Sequence, residues 1–434
     1  MHKIKPLLNF VDSNSLIHKP KVTMHCKDNT YSGEGEVRLE LKVRPGIYVY
    51  GFFSNIPELV KFSDITSFSL EGHTINGFPI KLSRKIQETT IKWRCSEPVN
   101  IIGNDSTQIE YIVFHLFNFV DFIGTHRSAE KKDSSIKPIE HINLTYENWS
   151  VEIQSLYSTQ KKYAILNEKG GHQLTHMGRI RKGDNSLLTG KETKEYLNAL
   201  TFFLSFAKGG WCNPVCPVGF SSKSRVVRVW ESWSSPKEAW REPLSWFDPH
   251  HSEQLTTFFP LFMKKWSEQM WKEALKEVIY WYLNANHSSR GTDAGIILTQ
   301  TALERLSFEY VVNTKQLLSR DGFKGLRASD KLRVLFSSLN IPLNIPSETP
   351  LLGTLAKSFK WSDAPHALTE IRNSLIHPDH KKRKELTEGY FEAWNLGLWY
   401  LEMSILALFG YSGTYGNRLK QRSMGAIEEV PWLS

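Results

Sequence analysis

The sequence predicts an α+β protein: an antiparallel β-rich N-terminal part, sandwich-like or open-barrel-like, followed by an all-α helical bundle. Three observations carry this. Residues Glu36 to Val43 alternate without a fault, with Val37, Leu39, Leu41 and Val43 on one face and Glu36, Arg38, Glu40 and Lys42 on the other. That is the pattern of a half-buried strand. From about residue 252 the apolar period lengthens to that of a helix and stays so to about residue 410. With 434 residues, 40% of them hydrophobic, the chain can fill two or three cores.

Residues 1–185 read as a β-rich recognition or regulatory domain. Short runs follow one another with turn residues between them: Gly46–Gly51, Phe68–Glu71, Phe78–Leu82, Thr90–Arg94, Ile109–Phe114 and Ser150–Gln154. No paired catalytic carboxylates, phosphate-cradling glycine loop or HExxH run occurs among them. Residues 186–250 predict a connecting helix and a β-hairpin. Thr189-Gly-Lys-Glu192 has capping-box form, and Tyr196, Leu197, Leu200, Phe203 and Leu204 carry the helix to Gly209-Gly210. Val218–Phe220 and Arg225–Trp230 form the hairpin. Arg225 and Arg228 beside Trp230 and Trp233 are able to stack on bases, though such residues more often make a wet sheet face over a core.

Residues 251–413 predict helices throughout. The stripe Leu255, Phe258, Phe259, Phe262, Trp266, Met270, Ala274, Val278 and Tyr282 predicts one long helix, kinked or started by Pro260. A second helix follows over about 293–318 with Asp293 as its cap, and a shorter one over about 329–339. The proline-rich run 341–350 cannot continue a helix. A short helix then carries Leu368, Ile371 and Leu375 on its apolar back, with Asp363 or Ser362 as cap and Pro365 in the first turn. Pro378 disfavours helical geometry at His377 and ends it. A last helix spans about 385–410. Residues 414–434, with Arg418, Lys420 and Arg422, read as a mobile basic tail.

The formal charge of +9 favours polyanionic partners, nucleic acid first. The four cysteines, Cys26, Cys95, Cys212 and Cys216, are too sparse for a disulfide framework and suggest a reducing interior. Cys212 and Cys216 lack the second ligand pair of a zinc site, and the nearest histidines, His250 and His251, lie far downstream, so they read as structural thiols. No metal or cofactor is expected. The N-terminus has no apolar run of signal-peptide length. The greasiest window, 396–409, is broken by Glu402 and is shorter than the roughly twenty residues a bilayer requires. A soluble cytoplasmic protein with no membrane partner is expected.

The stretch Arg372-Asn-Ser-Leu-Ile-His377 sets a fixed positive charge, an amide and an imidazole within six residues near a helix C-terminus, where positive charge is favoured. This motif resembles that of the HEPN superfamily, whose ribonuclease signature is an arginine, four to six residues and a histidine, often with Asn, Asp or His directly after the arginine; here that residue is Asn373. With Tyr282–Asn286 and Ala302–Leu306 as context, the likeness is to the ApeA-like branch, which joins a β-rich N-terminal part to a C-terminal HEPN domain. It covers roughly residues 252–412, and the front half much more loosely.

The resemblance implies metal-independent endoribonuclease chemistry of toxin or antiviral-defence type. The RNA 2′-hydroxyl attacks the adjacent phosphate, leaving a 2′,3′-cyclic phosphate and a 5′-hydroxyl. His377 is the expected general base or acid, Arg372 the bidentate phosphate ligand, and Asn373 the residue that orients the imidazole or binds phosphate oxygen. Glu304, on the second helix, is a candidate polar group behind the site, with a solvated or salt-bridged role as the plainer reading. Some relatives carry a modifiable tyrosine two residues after the histidine; here that position is Asp379.

On a regular helix Arg372 and His377 diverge by about 140°, so one copy does not focus both on a single phosphate. The expected assembly is a homodimer with a composite site. A constitutive nuclease would harm its own cell, so the front domain is the expected sensor or restraint, with a foreign protein or nucleotide as trigger. The rival reading is a non-catalytic module that binds a nucleotide or protein and signals by assembly.

Overall fold

In the computed structural model the chain builds three stacked layers. The description covers residues 3–433 except 28, 43, 55, 58–59, 86, 129–138, 158, 222–224, 243, 288–290, 378–383, 422 and 424. The first layer is an antiparallel sheet of nine strands: β1 (Phe10–Val11), β2 (Asn14–His18), β3 (Lys21–Cys26), β4 (Asn29–Glu40), β5 (Gly46–Phe53), β6 (Ile65–Leu70), β7 (His73–Ile75), β8 (Gly77–Arg84) and β9 (Thr89–Cys95). Its order is β7-β6-β3-β4-β5-β9-β8, with β2 also paired to β4 and β1 to β2. The alternation seen from Glu36 onward is realised in β4: Val37 and Leu39 are buried, while Glu40 on the other face pairs with Lys92 of β9 at 2.7 Å. Val43 lies outside the described residues.

The second layer is an antiparallel sheet of seven strands. Its principal members are β10 (Tyr111–Phe117), β11 (Ile139–Tyr146), β12 (Trp149–Ser155), β13 (Leu174–Lys182), β14 (Val215–Ser221) and β15 (Val227–Glu231). This sheet is covered on both faces, so its strands read as continuous apolar runs. In β10, Val113 and Phe117 point into the core shared with the first sheet. Ile112, Phe114 and Leu116 point into the core shared with the helices. One strand therefore serves two cores through its two-residue period.

Residues 186–250 take part in this layer. The helix α2 (Gly190–Lys208) buries its stripe against the second sheet, after α1 (Thr159–Lys169). Its capping box forms as predicted: Glu192 N donates to Thr189 Oγ1 at 3.1 Å and Thr189 N donates to Glu192 Oε2 at 2.7 Å. Gly209 closes it at φ +74°. The predicted hairpin supplies β14 and β15, and β14 pairs directly with the central β10. Trp230 and Trp233 are buried and Arg228 pairs with Glu231 at 3.1 Å, so these indoles are closed to base stacking.

The third layer is helical: α3 (Glu253–Ser267), α4 (Gln269–Ala285), α5 (Thr292–Ser307), α6 (Arg320–Gly325), α7 (Ala328–Ser338), α8 (Pro350–Phe359), α9 (Ala364–Ile376) and α10 (Tyr390–Leu408). The single long helix expected over 255–282 is two helices. Glu268 turns extended (φ −79°, ψ 113°) between them, and Pro260 is accommodated inside α3. The break also shifts the apolar stripe: Met270, expected on it, is exposed, and Trp271 is buried in its place, while Ala274, Val278 and Tyr282 keep to the buried face. The cap of α5 is Gly291 at φ +86°, not Asp293, which sits in the first turn near the positive helix end. After Ser307 that helix widens into π-helical turns over Phe308–Thr314. Pro350 opens α8, a helix the sequence did not suggest, in the first-turn position proline tolerates.

The tail is docked. Thr414–Tyr415 pairs with Glu428–Glu429, and Trp432 Nε1 donates to Tyr411 O at 2.8 Å. Arg418 is buried and pairs with Glu402 of α10, its Nε donating to Glu402 Oε2 at 2.9 Å. The expectation of a mobile basic tail is thus corrected: the buried Glu402 carboxylate fixes Arg418. Lys420 pairs with Glu428, and Arg422 lies outside the described residues. No helix among the described residues is long and apolar enough to cross a membrane.

Candidate active site

The motif lies on α9, which packs against α5, α7 and α10. Ile371 and Leu368 are buried in the bundle core, as the helical spacing predicts. The first turn is strongly held. Asp363 caps α9 by accepting from His366 N at 2.9 Å, and Arg333 of α7 grips the same carboxylate through Nη2 at 3.0 Å and Nε at 2.5 Å. Burial opposes the charged form of Asp363, but the Arg333 hydrogen bonds and the His366 amide outweigh it and hold the carboxyl below its ordinary range.

A lowered folded-state pKa contributes stability above the unfolded value of about 3.9 that is lost as pH falls through the folded value. Asp363→Ala is therefore expected to cost about 1–2 kcal/mol at pH 7. The cost should shrink as pH falls below about 4, where the unfolded chain takes up the proton first, and vanish once pH passes the lowered folded value and the native carboxylate is protonated too. Urea unfolding of both proteins at pH 7 and pH 3 checks this, and an equal cost at both values overturns it.

At the other end the helix stops at Ile376. His377 is extended (φ −100°, ψ 143°), its backbone N–H closing onto Asn373 O at 2.9 Å and its imidazole exposed. Pro378, to which the sequence assigns this ending, and Asp379 lie outside the described residues. Asn373 and Arg372 are half-buried, and Arg372 Nη1 donates to Asn373 Oδ1 at 3.2 Å. Arg372 makes no ion pair among the described residues, and its buried Nε has no acceptor there. A guanidinium held beside an amide, with no carboxylate on it among the described residues, is suited to receive an anion.

Glu304 takes its plainer role. Its carboxylate meets Lys331 Nζ of α7 at 3.5 Å and accepts from Gln300 Nε2 at 3.2 Å. No hydrogen bond among the described residues joins it to Arg372, Asn373 or His377. The structure adds Tyr390 and Ser374 behind the motif, 3.2 Å apart. Neither carries a sequence signal, because serine and tyrosine are unremarkable on a helix.

All four cysteines are free and buried, and burial pushes the thiols of Cys95, Cys212 and Cys216 up to about 12. Such thiols stay protonated and unreactive. Among the described residues no cluster of three or more His, Cys, Asp or Glu side chains is placed to hold a metal.

Two family models match the chain. Residues 104–242 match the YopA central domain, and residues 268–429, which include the motif, match the YopA C-terminal domain. The SPbeta prophage-derived uncharacterized protein YopA of Bacillus subtilis (strain 168) is 29% identical over 338 residues, covering 77% of this chain and 74% of that protein. No solved structure matches.

Proposed function

We propose that this chain, which belongs to the YopA family through its central and C-terminal domains, is a metal-independent endoribonuclease acting through Arg372, Asn373 and His377. The observation that carries the reading is the arginine with a buried Nε and no carboxylate partner among the described residues, five positions from an exposed imidazole. Arg372 supplies fixed charge and forked donors for a phosphate whose negative charge grows during 2′-hydroxyl attack. His377, at the open end of α9, moves protons to and from the ribose and leaving oxygens. A HEPN-like role for the helical layer follows from the motif, and a prophage-derived relative accords with a toxin or defence setting.

On a regular helix five residues correspond to about 140° of rotation and about 7.5 Å along the axis, and the extended His377 just past the end of α9 gives no turn that would bring it round to Arg372. A homodimer in which the arginine of one copy faces the histidine of the other resolves this. Mixing Arg372→Ala and His377→Ala proteins should then restore activity, to about 25% of wild type when copies pair at random, since half the dimers are mixed and each regains one of two sites. Cleavage assays on mixtures, with subunit exchange verified by mass photometry, read this out. No restoration, with exchange demonstrated, overturns the shared site and leaves the roles of the residues intact.

The primary test is RNA cleavage with EDTA present, followed by analysis of the product ends. Cyclic phosphate and 5′-hydroxyl ends, abolished in both Ala variants, are the expected result. Cleavage that both variants retain would sink the assignment.

A further inference from the structure

Where the first sheet meets the second, five basic side chains from four distant segments converge on one cleft of about 710 Å³. Lys42 and Arg44 come from the turn after β4, Arg94 from β9, His172 from the turn before β13, and Lys237 from the segment after β15. No carboxylate lines it among the described residues. Two acids beside the lining residues, Glu97 and Glu238, are already engaged. Glu97 accepts from Ile47 N at 2.8 Å and from Ser235 N. Glu238 accepts from Trp211 N at 2.6 Å and from Arg241 Nε at 2.8 Å.

The cations are positioned as well as gathered. Arg94 Nη2 donates to Pro45 O at 3.3 Å, which sets the guanidinium against the turn that carries Lys42 and Arg44. Lys237 Nζ sits 4.5 Å from the centre of the Trp211 ring. Burial holds Lys237 below the ordinary lysine range, and burial together with the Lys208 charge does the same for His172. Lys42, Arg44 and Lys237 are exposed at the mouth and Arg94 and His172 half-buried, so an anion can reach all five, and like charges gathered this closely repel until one joins them. Leu41, Pro45 and Pro236 add apolar surface beside the charges, and the volume falls within the range of small-molecule sites.

We propose that this cleft binds a small polyphosphate anion of nucleoside-triphosphate size, with Lys42, Arg44, Arg94 and Lys237 on the phosphates and Leu41, Pro45 and Pro236 beside the nucleoside. The site is separate from Arg372 and His377, and it stands or falls whether or not the chain cuts RNA.

The test is isothermal titration of the full-length protein with ATP and, separately, with inorganic tripolyphosphate. Saturable binding of ATP is expected, with tripolyphosphate competing for the same site. Lys42→Glu/Arg44→Glu alters only exposed side chains, so its fold is expected to persist, as circular dichroism will verify. It should weaken ATP by about tenfold or more per cation removed. Lys237→Ala provides a second variant from the opposite wall with the same expected loss, and Lys324→Glu, exposed on α6, should leave binding unchanged. The proposal is overturned if neither ligand binds, or if ATP binding survives both cleft variants. It is also overturned if single-stranded RNA uses these residues while tripolyphosphate does not compete.

Discussion

Arg372→Ala and His377→Ala are each expected to lower RNA cleavage by about 10²–10⁴-fold with EDTA present, while leaving the melting temperature close to wild type. The size follows from the roles. A positioned proton-transfer group and an aligned phosphate ligand each contribute on that scale. The near-constant stability follows from the surroundings: the imidazole is exposed, and the arginine has no ion pair among the described residues whose loss would strand a partner. Expression toxicity in a bacterial host, relieved by the same substitutions, gives a rapid first readout. The Arg372→Lys variant separates charge from geometry. A lysine keeps the charge and loses the fork, so it should recover only a small part of the activity. Full activity in the two Ala variants would end the nuclease reading.

Glu402→Ala or Arg418→Ala is expected to cost about 3–5 kcal/mol of stability, because either leaves the other charge buried without its partner. Both side chains are fully buried. The pair anchors a wider network: Tyr282 Oη donates to Glu402 Oε1 at 2.5 Å, and Arg418 also reaches Asn286 Oδ1 at 3.2 Å and Leu244 O at 3.1 Å. Asn286 in turn donates to Gly209 O and Leu244 O, each at 2.8 Å. The end of α2, the segment before α3, the end of α4, the middle of α10 and the tail thus meet on one ion pair. The paired replacement Glu402→Leu/Arg418→Met should recover much of the loss, since it strands no charge. Urea midpoints for the two single variants and the double variant form the decisive set. Single variants within about 1 kcal/mol of wild type would show that water reaches the pair and that its burial is not maintained.

Much of the local architecture was legible in the sequence because its causes lie within a few residues. The Thr189–Glu192 box and the Asp363 cap each need only a side chain and an amide three positions on, and both form. The alternation of β4 and the apolar back of α9 are set by the periods of strand and helix. His377 ends α9 as expected, and Arg372 and Asn373 lie on that helix with it.

Other features escaped because a run with apolar residues at neighbouring positions fits a continuous stripe as well as a broken one. The apolar residues of 255–282 fit one continuous stripe through Met270, and only the structure shows that the break at Glu268 exposes Met270 and buries Trp271. The short helices α1, α6 and α8 are held by packing more than by propensity, which is weak evidence over so few residues. The hairpin at 215–231 looked like a connection, yet it completes a sheet, because the strand it pairs with, β10, lies about a hundred residues earlier.

Taken alone, the sequence determined the order of a β-rich part and a helical part, the caps and periods of the principal elements, and an Arg-Asn-His set on one short helix. Tertiary structure alone decided that the middle sheet is covered on both faces, that the basic tail is pinned through Arg418 and Glu402, that Glu304 pairs with Lys331, and that five basic residues share a cleft. The physical reason is range. Propensity, capping and periodicity act over one or two turns. Burial and charge pairing depend on partners such as Asn286 and Arg418, 132 positions apart, which no local pattern brings together.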